Sequence, residues 1–278
     1  MNSREILKRA AEELRLAGVP DPEYDSAAML AQAVGRPALA LRLETEQGPT
    51  EAEEAEFRRM MARRLRREPL QYILGTAAFC GMELLTAPGV LIPRPETELL
   101  AEWAAERMAG RREQEILDLC CGTGCLGLSL LKMLPGARVA LSDLSGEAVR
   151  LARKNRERLG ADCEILQGDL FGPLAGRRFD CIVSNPPYIP SAACECLQEE
   201  VMREPRMALD GGKDGLDFYR RIAAEAPAHL KTGGAVLLET GFGEAEDTAG
   251  IMREGGAART EIRSDLNGIA RMVLAEYA

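Results

Sequence analysis

The sequence predicts an α/β protein in which a doubly wound, Rossmann-like sheet follows a small helical bundle. A short apolar run, Glu115–Leu119, leads into a glycine-rich turn and then an apolar helical stretch, the first strand–turn–helix unit of such a sheet. A second apolar run, Phe179–Ser184, stops at two prolines, which cannot continue a β-ladder. Residues 1 to about 75, by contrast, have helical patterning throughout.

Helix-capping signals divide the N-terminal region. Asn2 with Glu5, and Thr50 with Glu53, have the spacing of capping boxes, which open helices. Apolar residues recur at helical spacing before Gly18, which closes the first helix. We therefore expect a separate helical domain over residues 1–75.

Residues 76–93 predict a β-hairpin linker, because their short apolar stretches are broken by glycine and proline. A helix after Pro95 then opens the sheet domain, residues 94–278. Residues 233–238 supply its fifth strand, and residues 260–262 and 271–274 close a seven-stranded sheet as an antiparallel pair around Gly268. Residues 191–215 form a segment that is too long for an ordinary strand–helix connection. Such insertions near a site are often lids or substrate loops, and a plain surface loop is the alternative.

The glycine-rich turn contains Gly122, Gly124 and Gly127, the G-x-G-x-x-G spacing of dinucleotide sites. Asp143 ends the next strand, where a carboxylate accepts the hydroxyls of a ribose in both dinucleotide and S-adenosylmethionine sites. Asp118 separates these two possibilities. A carboxylate just before the turn suits a cationic group, such as the ammonium of a methionyl moiety, and repels a pyrophosphate.

The motif Asn185-Pro186-Pro187-Tyr188 follows the strand at its carboxyl end. Two prolines hold the backbone extended, which leaves the Asn185 amide oxygen and the Pro186 carbonyl as two fixed acceptors. Such a pair can hold an NH2 group, with Tyr188 as an apolar wall. An ordinary turn is the alternative, since Asn-Pro is a common turn dipeptide.

Composition excludes several classes of protein. The 278 residues are 46% hydrophobic and 28% charged, as in ordinary globular proteins, and no run predicts a leader or a membrane span. The eight cysteines lack paired C-x-x-C spacing, so we expect loop and core thiols in a reducing cytoplasm and no metal. His229 is the one histidine and is expected at the surface, so histidine-based acid–base chemistry is improbable.

A net charge of −9 argues against a nucleic-acid partner, because such binding depends on neutralising phosphates. Residues 58–67 nevertheless contain six arginines. We interpret this run as a solvated helix face rather than as a nucleic-acid patch.

Together these motifs resemble the release-factor glutamine methyltransferases, an S-adenosylmethionine-dependent, N5-specific family with the class I methyltransferase fold and an N-terminal helical domain. The resemblance covers nearly the whole chain. Its most discriminating feature is the segment Ile92-Pro93-Arg94-Pro95-Glu96-Thr97-Glu98, and it extends to residues 69–75, 204–205 and 211–216. The chain departs from the family pattern at Cys120-Cys121, Leu170 and Arg203.

The resemblance implies methyl transfer to the side-chain N5 of the glutamine in the Gly-Gly-Gln motif of class 1 peptide chain release factors. The helical domain is implied to dock another part of that factor. The cofactor S-adenosylmethionine would lie against Cys120, Cys121, Gly122, Thr123 and Gly124 with its methionyl part, Asp143 with its ribose, and Asp169, Leu170 and Phe171 with its adenine. Asn185, Pro186, Pro187 and Tyr188 would hold the glutamine side chain.

Other functions stay open on the sequence alone. An amino-methyltransferase acting on adenine or guanine in nucleic acid, or on a ribosomal-protein glutamine, can use the same Asn-Pro-Pro-Tyr motif. An enzyme acting on nucleic acid is expected to have aromatic side chains that stack on the bases, yet only 4% of residues are aromatic. A nicotinamide oxidoreductase is disfavoured by Asp118, and a non-enzymatic binder of S-adenosylmethionine leaves Asn185 unexplained.

Overall fold

The computed structural model describes residues 2–43, 48–111 and 113–278. Its elements form two compact units, one comprising Met1–Gly75 with Gln198–Arg203 and the other Thr76–Leu197 with Glu204–Ala278. The division made from the sequence placed all of residues 94–278 in one domain. Gln198–Arg203 instead groups with the helices because Glu200 accepts hydrogen bonds from Arg64 and Arg67.

The first unit is helical, and its two predicted capping boxes are present. Glu5 N–H donates to Asn2 Oδ1 at 2.9 Å, and Thr50 N–H donates to Glu53 Oε2 at 2.6 Å. Apolar side chains from every helix pack into one core. The helices are α1 (Ser3–Leu16), α2 (Pro22–Val34), α3 (Ala38–Leu43), α4 (Glu51–Arg64) and α5 (Leu70–Leu74).

The arginine run does not form the solvated face expected from the sequence. Arg64 is 4% exposed, and its guanidinium donates to Asp25 at 2.6 Å and to Glu200 at 2.9 Å. Arg67 donates to both carboxylate oxygens of Glu200 at 2.7 Å. Arg58, 74% exposed, does lie at the surface. Part of the run therefore holds the helical unit together, which periodicity on one helix does not reveal.

The second unit contains the predicted Rossmann-like sheet, which is confirmed. Its seven strands lie in the order β5-β4-β3-β6-β7-β9-β8, parallel except for β9, which runs antiparallel to β7 and β8. A separate hairpin, β1 (Thr76–Phe79) with β2 (Met82–Leu85), precedes it. The sheet strands are β3 (Glu115–Leu119), β4 (Arg138–Asp143), β5 (Glu164–Gln167), β6 (Phe179–Ser184), β7 (Leu230–Glu239), β8 (Arg259–Ser264) and β9 (Ala270–Glu276).

Helices cover both faces of this sheet, because alternate residues of each central strand point to opposite sides. Ile116, Leu141 and Val183 pack with one set of helices, whereas Leu117 and Ile182 pack with the other. The first set is α6 (Pro95–Met108), α7 (Cys125–Met133) and α8 (Gly146–Leu159), and the second is α9 (Asp217–Glu225) and α10 (Ala245–Glu254). Within the described ranges, every helix is too short or too polar to traverse a bilayer.

His229 is not the surface residue that the sequence suggested. It is half-buried, its ring stacks on Phe171 at 4.6 Å between centroids, and its Nδ1 lies 3.0 Å from the Arg177 carbonyl oxygen. Since a carbonyl only accepts, Nδ1 carries the proton. Packing with an aromatic ring, which the local alanine-rich sequence does not indicate, places it there.

Candidate active site

A cavity opens at the carboxyl ends of β3, β4 and β6, where the strand order reverses between β3 and β6. Ligands of open α/β sheets bind in the crevice at this reversal. Of the residues predicted to form the site, the cavity is lined by Asp118, Cys120, Cys121, Gly122, Thr123, Asp143, Asp169, Leu170, Asn185 and Pro187. Gly124, Phe171, Pro186 and Tyr188 are not among the lining residues.

The loop after β3 brings main chain to the cavity wall. Gly122 adopts φ +55°, and its N–H donates to Asp143 Oδ2 at 2.8 Å. Gly124 (φ +82°) lies behind the wall, where an added Cβ would come within 3.1 Å of Leu141. Glycine is thus required at Gly124 by helix–strand packing. Cys120 and Cys121 line the loop as neutral thiols, because burial raises the pKa of each.

Asp118 lines the cavity and has one carboxylate oxygen without a hydrogen-bond partner among the described residues. Its side chain is fully buried, and Oδ2 accepts the Gly127 N–H at 2.8 Å. Oδ1 is buried and makes no hydrogen bond within the described part of the chain, and the same holds for Thr123 Oγ1. Burial raises the pKa of Asp118 to about 8 despite the bond from Gly127, with Asp143 adding to the rise. A ligand ammonium would satisfy Oδ1, so the site fits the methionyl end of S-adenosylmethionine.

Asp143 lies on the neighbouring strand end with both oxygens already engaged by the backbone. Oδ2 accepts from Gly122 and Oδ1 accepts from Ser145, each at 2.8 Å. Burial raises its pKa, and the two backbone bonds oppose that rise. Each oxygen retains a lone pair, so the carboxylate is fixed in place and still able to accept the two hydroxyls of a ribose.

The predicted adenine side of the cavity is only partly as expected. Asp169 lines it while pairing with Arg221 at 2.8 Å, and Leu170 lines it from a strained φ of +43°. Phe171 points away and stacks on His229 in the second face of the core. Phe171 therefore does not line this cavity, and its contact with an adenine stays a prediction.

Asn185 lies at the end of β6 with its carboxamide held on one side only. Its Nδ2 donates to Thr97 Oγ1 at 3.1 Å. Neither Asn185 Oδ1 nor the Pro186 carbonyl oxygen accepts a hydrogen bond from any group that the structure describes. Pro186 and Pro187 are buried, which fixes the backbone between these acceptors. The site thus has two free acceptors beside the cavity.

Two further residues contact this motif and were not predicted from the sequence, Thr97, which also lines the cavity, and Glu239. Thr97 Oγ1 donates to Glu239 Oε2 at 2.6 Å, and Tyr188 OH lies 3.5 Å from Glu239 Oε1. Thr97 and Glu239 are 2% and 3% exposed. Burial raises the pKa of Glu239 to about 7, although the Thr97 bond opposes that rise. Thr97 lies in the family-like segment quoted above, whereas Glu239 directly follows the apolar stretch 235–238 of β7, and a charge at that position was the available signal.

The residues after the Asn-Pro-Pro-Tyr motif are tied to the last part of the long connection. Ile189 and Asp210 form a parallel β-bridge, in which Ile189 N–H donates to the Leu209 oxygen and Gly211 N–H to the Ile189 oxygen, each at 2.8 Å. At Gly211 an added Cβ would meet Tyr188 Cα at 2.7 Å. This part of the connection is therefore a fixed brace for the motif.

Curated relatives match the chain over nearly its full length, and two family models match parts of it. The PrmC N-terminal domain matches residues 5–75, and the methyltransferase small domain matches residues 84–213. The release factor glutamine methyltransferase of Geobacter sulfurreducens is 43% identical over 271 residues, 97% of this chain and 95% of the relative. That of Deinococcus radiodurans is 40% identical over 280 residues, 100% of this chain and 99% of the relative.

Solved methyltransferases share the fold at lower identity. The T. thermophilus 16S rRNA N2 G1207 methyltransferase in complex with AdoMet and guanosine superposes with a TM-score of 0.55 and 24% identity, covering 73% of this chain and 50% of that chain. A methyltransferase from Pyrococcus furiosus superposes with a TM-score of 0.54 and 18% identity, covering 70% and 89%. At these identities the likeness shows the fold alone. The full-length matches at 40% identity and above show that the chain belongs to the release factor glutamine methyltransferase family.

Proposed function

We propose that this protein transfers a methyl group from S-adenosylmethionine to the side-chain nitrogen of a glutamine in a class 1 peptide chain release factor. The observation that supports this most directly is the pair of free acceptors, Asn185 Oδ1 and the Pro186 carbonyl, beside a cavity with an unpaired carboxylate oxygen. The names of the relatives support the choice of substrate.

Bound S-adenosylmethionine would supply a sulfonium methyl group as the electrophile. Asp118 would hold its ammonium, Asp143 its ribose, and Gly122 and Thr123 would line its methionyl part. The unpaired Asp118 Oδ1 and the backbone-anchored Asp143 carboxylate support these proposed positions. A charge-assisted bond from each carboxylate is worth about 1.5–3 kcal/mol.

The two acceptors address the weakness of an amide nitrogen as a nucleophile. Its lone pair is delocalised into its own carbonyl, and this delocalisation requires a planar nitrogen. Asn185 Oδ1 and Pro186 O would each accept one N–H, orient the nitrogen toward the cavity, and stabilise positive charge as it develops on the NH2 group. Transfer would form the N–C bond and break the S–CH3 bond, with S-adenosylhomocysteine as the leaving group. The methylated nitrogen would be cationic and acidic, and it would then lose one proton to solvent. Positioning and electrostatics would provide the catalysis, without a histidine.

The helical unit would dock another part of the release factor. It exposes large apolar side chains at Tyr24 (65% exposed), Leu39 (69%) and Leu43 (73%). Arg42 donates to the Glu23 carbonyl at 3.2 Å, so α3 contacts the first turn of α2. Because the substrate is a translation factor, we place the enzyme in the cytoplasm. All eight cysteines are free thiols, which is consistent with a reducing compartment.

Methylation of nucleic acid is the competing function, since an rRNA methyltransferase shares the fold. The charge distribution disfavours it. The net charge is −9, and Arg64 and Arg67 of the arginine run are occupied by Asp25 and Glu200. We therefore expect no steep salt dependence of the kind that phosphate binding produces.

Mass spectrometry tests the proposal. A synthetic Gly-Gly-Gln peptide and an intact release factor are incubated with the protein and S-adenosylmethionine, and fragmentation locates the added methyl group. Asn185→Ala should keep cofactor affinity within a few-fold by calorimetry but lower turnover by roughly 10²-fold or more, as loss of one transition-state hydrogen bond does elsewhere. Labelled methyl appearing in RNA or DNA, with none in the factor, would overturn the proposal.

A further inference from the structure

The chain of side chains behind Asn185 settles which way its carboxamide points. An asparagine side chain is nearly symmetric in shape, so packing alone does not distinguish its oxygen from its nitrogen. The orientation decides whether the cavity receives an acceptor or a donor. Here the neighbouring Thr97 hydroxyl, 3.1 Å from Asn185 Nδ2, is the discriminating group.

The proton of that hydroxyl is donated in a different hydrogen bond. Thr97 Oγ1 lies 2.6 Å from Glu239 Oε2. Above pH 7 Glu239 is mostly ionised, and an ionised carboxylate only accepts, so the hydroxyl proton then points to Glu239. Only a lone pair of Thr97 then remains for Asn185, and a lone pair requires the NH2 end. The carboxamide oxygen is consequently turned the other way, where no described group donates to it.

Glu239 itself is held firmly enough to impose this direction. It is 3% exposed at the end of β7, next to β6. Its second oxygen faces Tyr188 OH at 3.5 Å, and its main-chain oxygen accepts the Tyr219 hydroxyl at 3.0 Å. Burying a carboxylate costs free energy unless it is hydrogen-bonded, so packing alone does not explain a glutamate at this position.

We infer that Glu239, acting through the Thr97 hydroxyl, is a positioning residue that locks Asn185 with its oxygen toward the substrate amide. The inference rests on the proposed function. A flipped Asn185 would present NH2 to the NH2 of the substrate, which repels it. The bond chain also polarises the carboxamide, because donation from Nδ2 draws electron density toward Oδ1 and strengthens it as an acceptor.

Thr97→Val tests the link, because valine keeps the shape of threonine and removes the hydroxyl. The turnover number for a Gly-Gly-Gln peptide should fall about tenfold, the worth of one hydrogen bond, while cofactor affinity stays within about twofold. Thr97→Ser is the matched control and should restore turnover to within about twofold. Unchanged turnover in Thr97→Val would overturn the inference.

A double-mutant cycle separates positioning from general loss of structure. If Thr97 acts only through Asn185, then adding Thr97→Val to Asn185→Ala should cause no further loss of turnover. An independent, multiplied loss in the double variant would show that Thr97 acts by another route and would overturn the inference.

Nuclear magnetic resonance of the unmodified protein gives a readout that needs neither turnover nor a variant that folds. The Asn185 side-chain NH2 protons should exchange with water at least tenfold more slowly than those of the exposed Asn267. Equal exchange would overturn the inference. If wild-type protein methylates no glutamine but Asn185 NH2 is protected, the proposed function fails and the positioning stands.

Discussion

At the scale of single residues, Asp118 is expected to couple cofactor binding to the release of a proton. Its pKa of about 8 means that most of the cofactor-free protein carries a protonated Asp118 at pH 7. A bound ammonium favours the carboxylate, so binding of S-adenosylmethionine should release close to one proton per site at this pH. Calorimetry in two buffers of different ionisation enthalpy measures that release.

Asp118→Asn is the matched variant for this prediction, because it keeps the shape and the bond from Gly127 but does not titrate. Proton release should vanish, and cofactor affinity should weaken by about ten- to a hundred-fold, equivalent to a charge-assisted bond of 1.5–3 kcal/mol. A binding heat independent of the buffer in the wild type would show that Asp118 does not receive the ammonium.

Glu239 gives turnover its own pH dependence. Burial raises the pKa of Glu239, and the nearby charge of Glu96 adds to the rise. The hydrogen bond from Thr97, together with Arg271 and Tyr188, lowers the pKa, which comes to about 7. Once protonated, Glu239 can donate to Thr97, whose proton then turns to Asn185 and favours the flipped carboxamide. Turnover at saturating cofactor should therefore fall as pH drops through about 7 and level off about tenfold lower, the loss also expected for Thr97→Val. A flat profile between about pH 6 and 8 would contradict this expectation.

Sequence alone identified the cavity-facing residues at strand ends, because the backbone dictates them. Asp143 follows an apolar strand, and Asn185 precedes two prolines that stop one. Thr97 and Glu239 could not be found this way. They are far apart in the chain and meet only through the packing of α6 against β7, which no local pattern encodes.

At the scale of elements, the brace after β6 is expected to be sensitive at one glycine. Gly211→Ala would place a Cβ 2.7 Å from Tyr188 Cα and 2.8 Å from the Pro187 oxygen, both of them backbone atoms of the motif. The motif would have to shift, so turnover should fall by about 10²-fold, as small misplacements of a reacting group do. Peptide turnover and urea denaturation measure the two consequences.

Gly250→Ala in α10 is the control for that variant, since its Cβ would have only Arg253 at 3.8 Å. It should leave turnover unchanged and stabilise the protein by about 0.5–1 kcal/mol, because alanine favours a helix interior. Wild-type turnover in Gly211→Ala would show that the bridge does not brace the motif.

Strands and helices were predictable because their apolar spacing is contiguous, as in Glu115–Leu119. The connection at 191–215 was recognised as unusual but not as a brace. Its ordering depends on backbone bonds such as that from Gly211 N–H to the Ile189 oxygen, which carry no side-chain periodicity. The role of the arginine run could not be predicted for a similar reason, because the hydrogen-bond partners of Arg64 lie on other segments of the chain.

That arrangement of Arg64 gives a prediction for the helical unit. Burial alone would raise the pKa of Glu200, but the bonds from Arg67 and Arg64 hold it at about 2. Arg64→Ala leaves Asp25 without its 2.6 Å partner and should cost about 3–5 kcal/mol in the free energy of unfolding, measured by denaturant titration. Arg58→Ala, at an exposed site, should cost less than about 0.5 kcal/mol.

At the scale of the whole molecule, the net charge of −9 gives less information than the location of the charges. A basic run in an acidic protein permits both a protein and a nucleic-acid partner. Arg64 and Arg67 are held by acidic residues, and Arg58, Arg59 and Arg63 also pair with glutamates, so most of the positive charge of the run is already compensated. The exposed apolar residues of the helical unit then become the better candidates for contact with a partner.

Leu39→Ser with Leu43→Ser tests whether the helical unit docks a folded protein. Both side chains are largely exposed, so the change should not alter stability. Each leucine buried against a partner contributes about 1.5–3 kcal/mol, and docking raises the effective concentration of the glutamine at Asn185. The KM for an intact release factor should therefore rise about tenfold or more, whereas the KM for a short Gly-Gly-Gln peptide should not change. Equal KM values for the factor before and after substitution would place the docking surface elsewhere, and a parallel rise for the peptide would mean that the substitutions disturbed the active site.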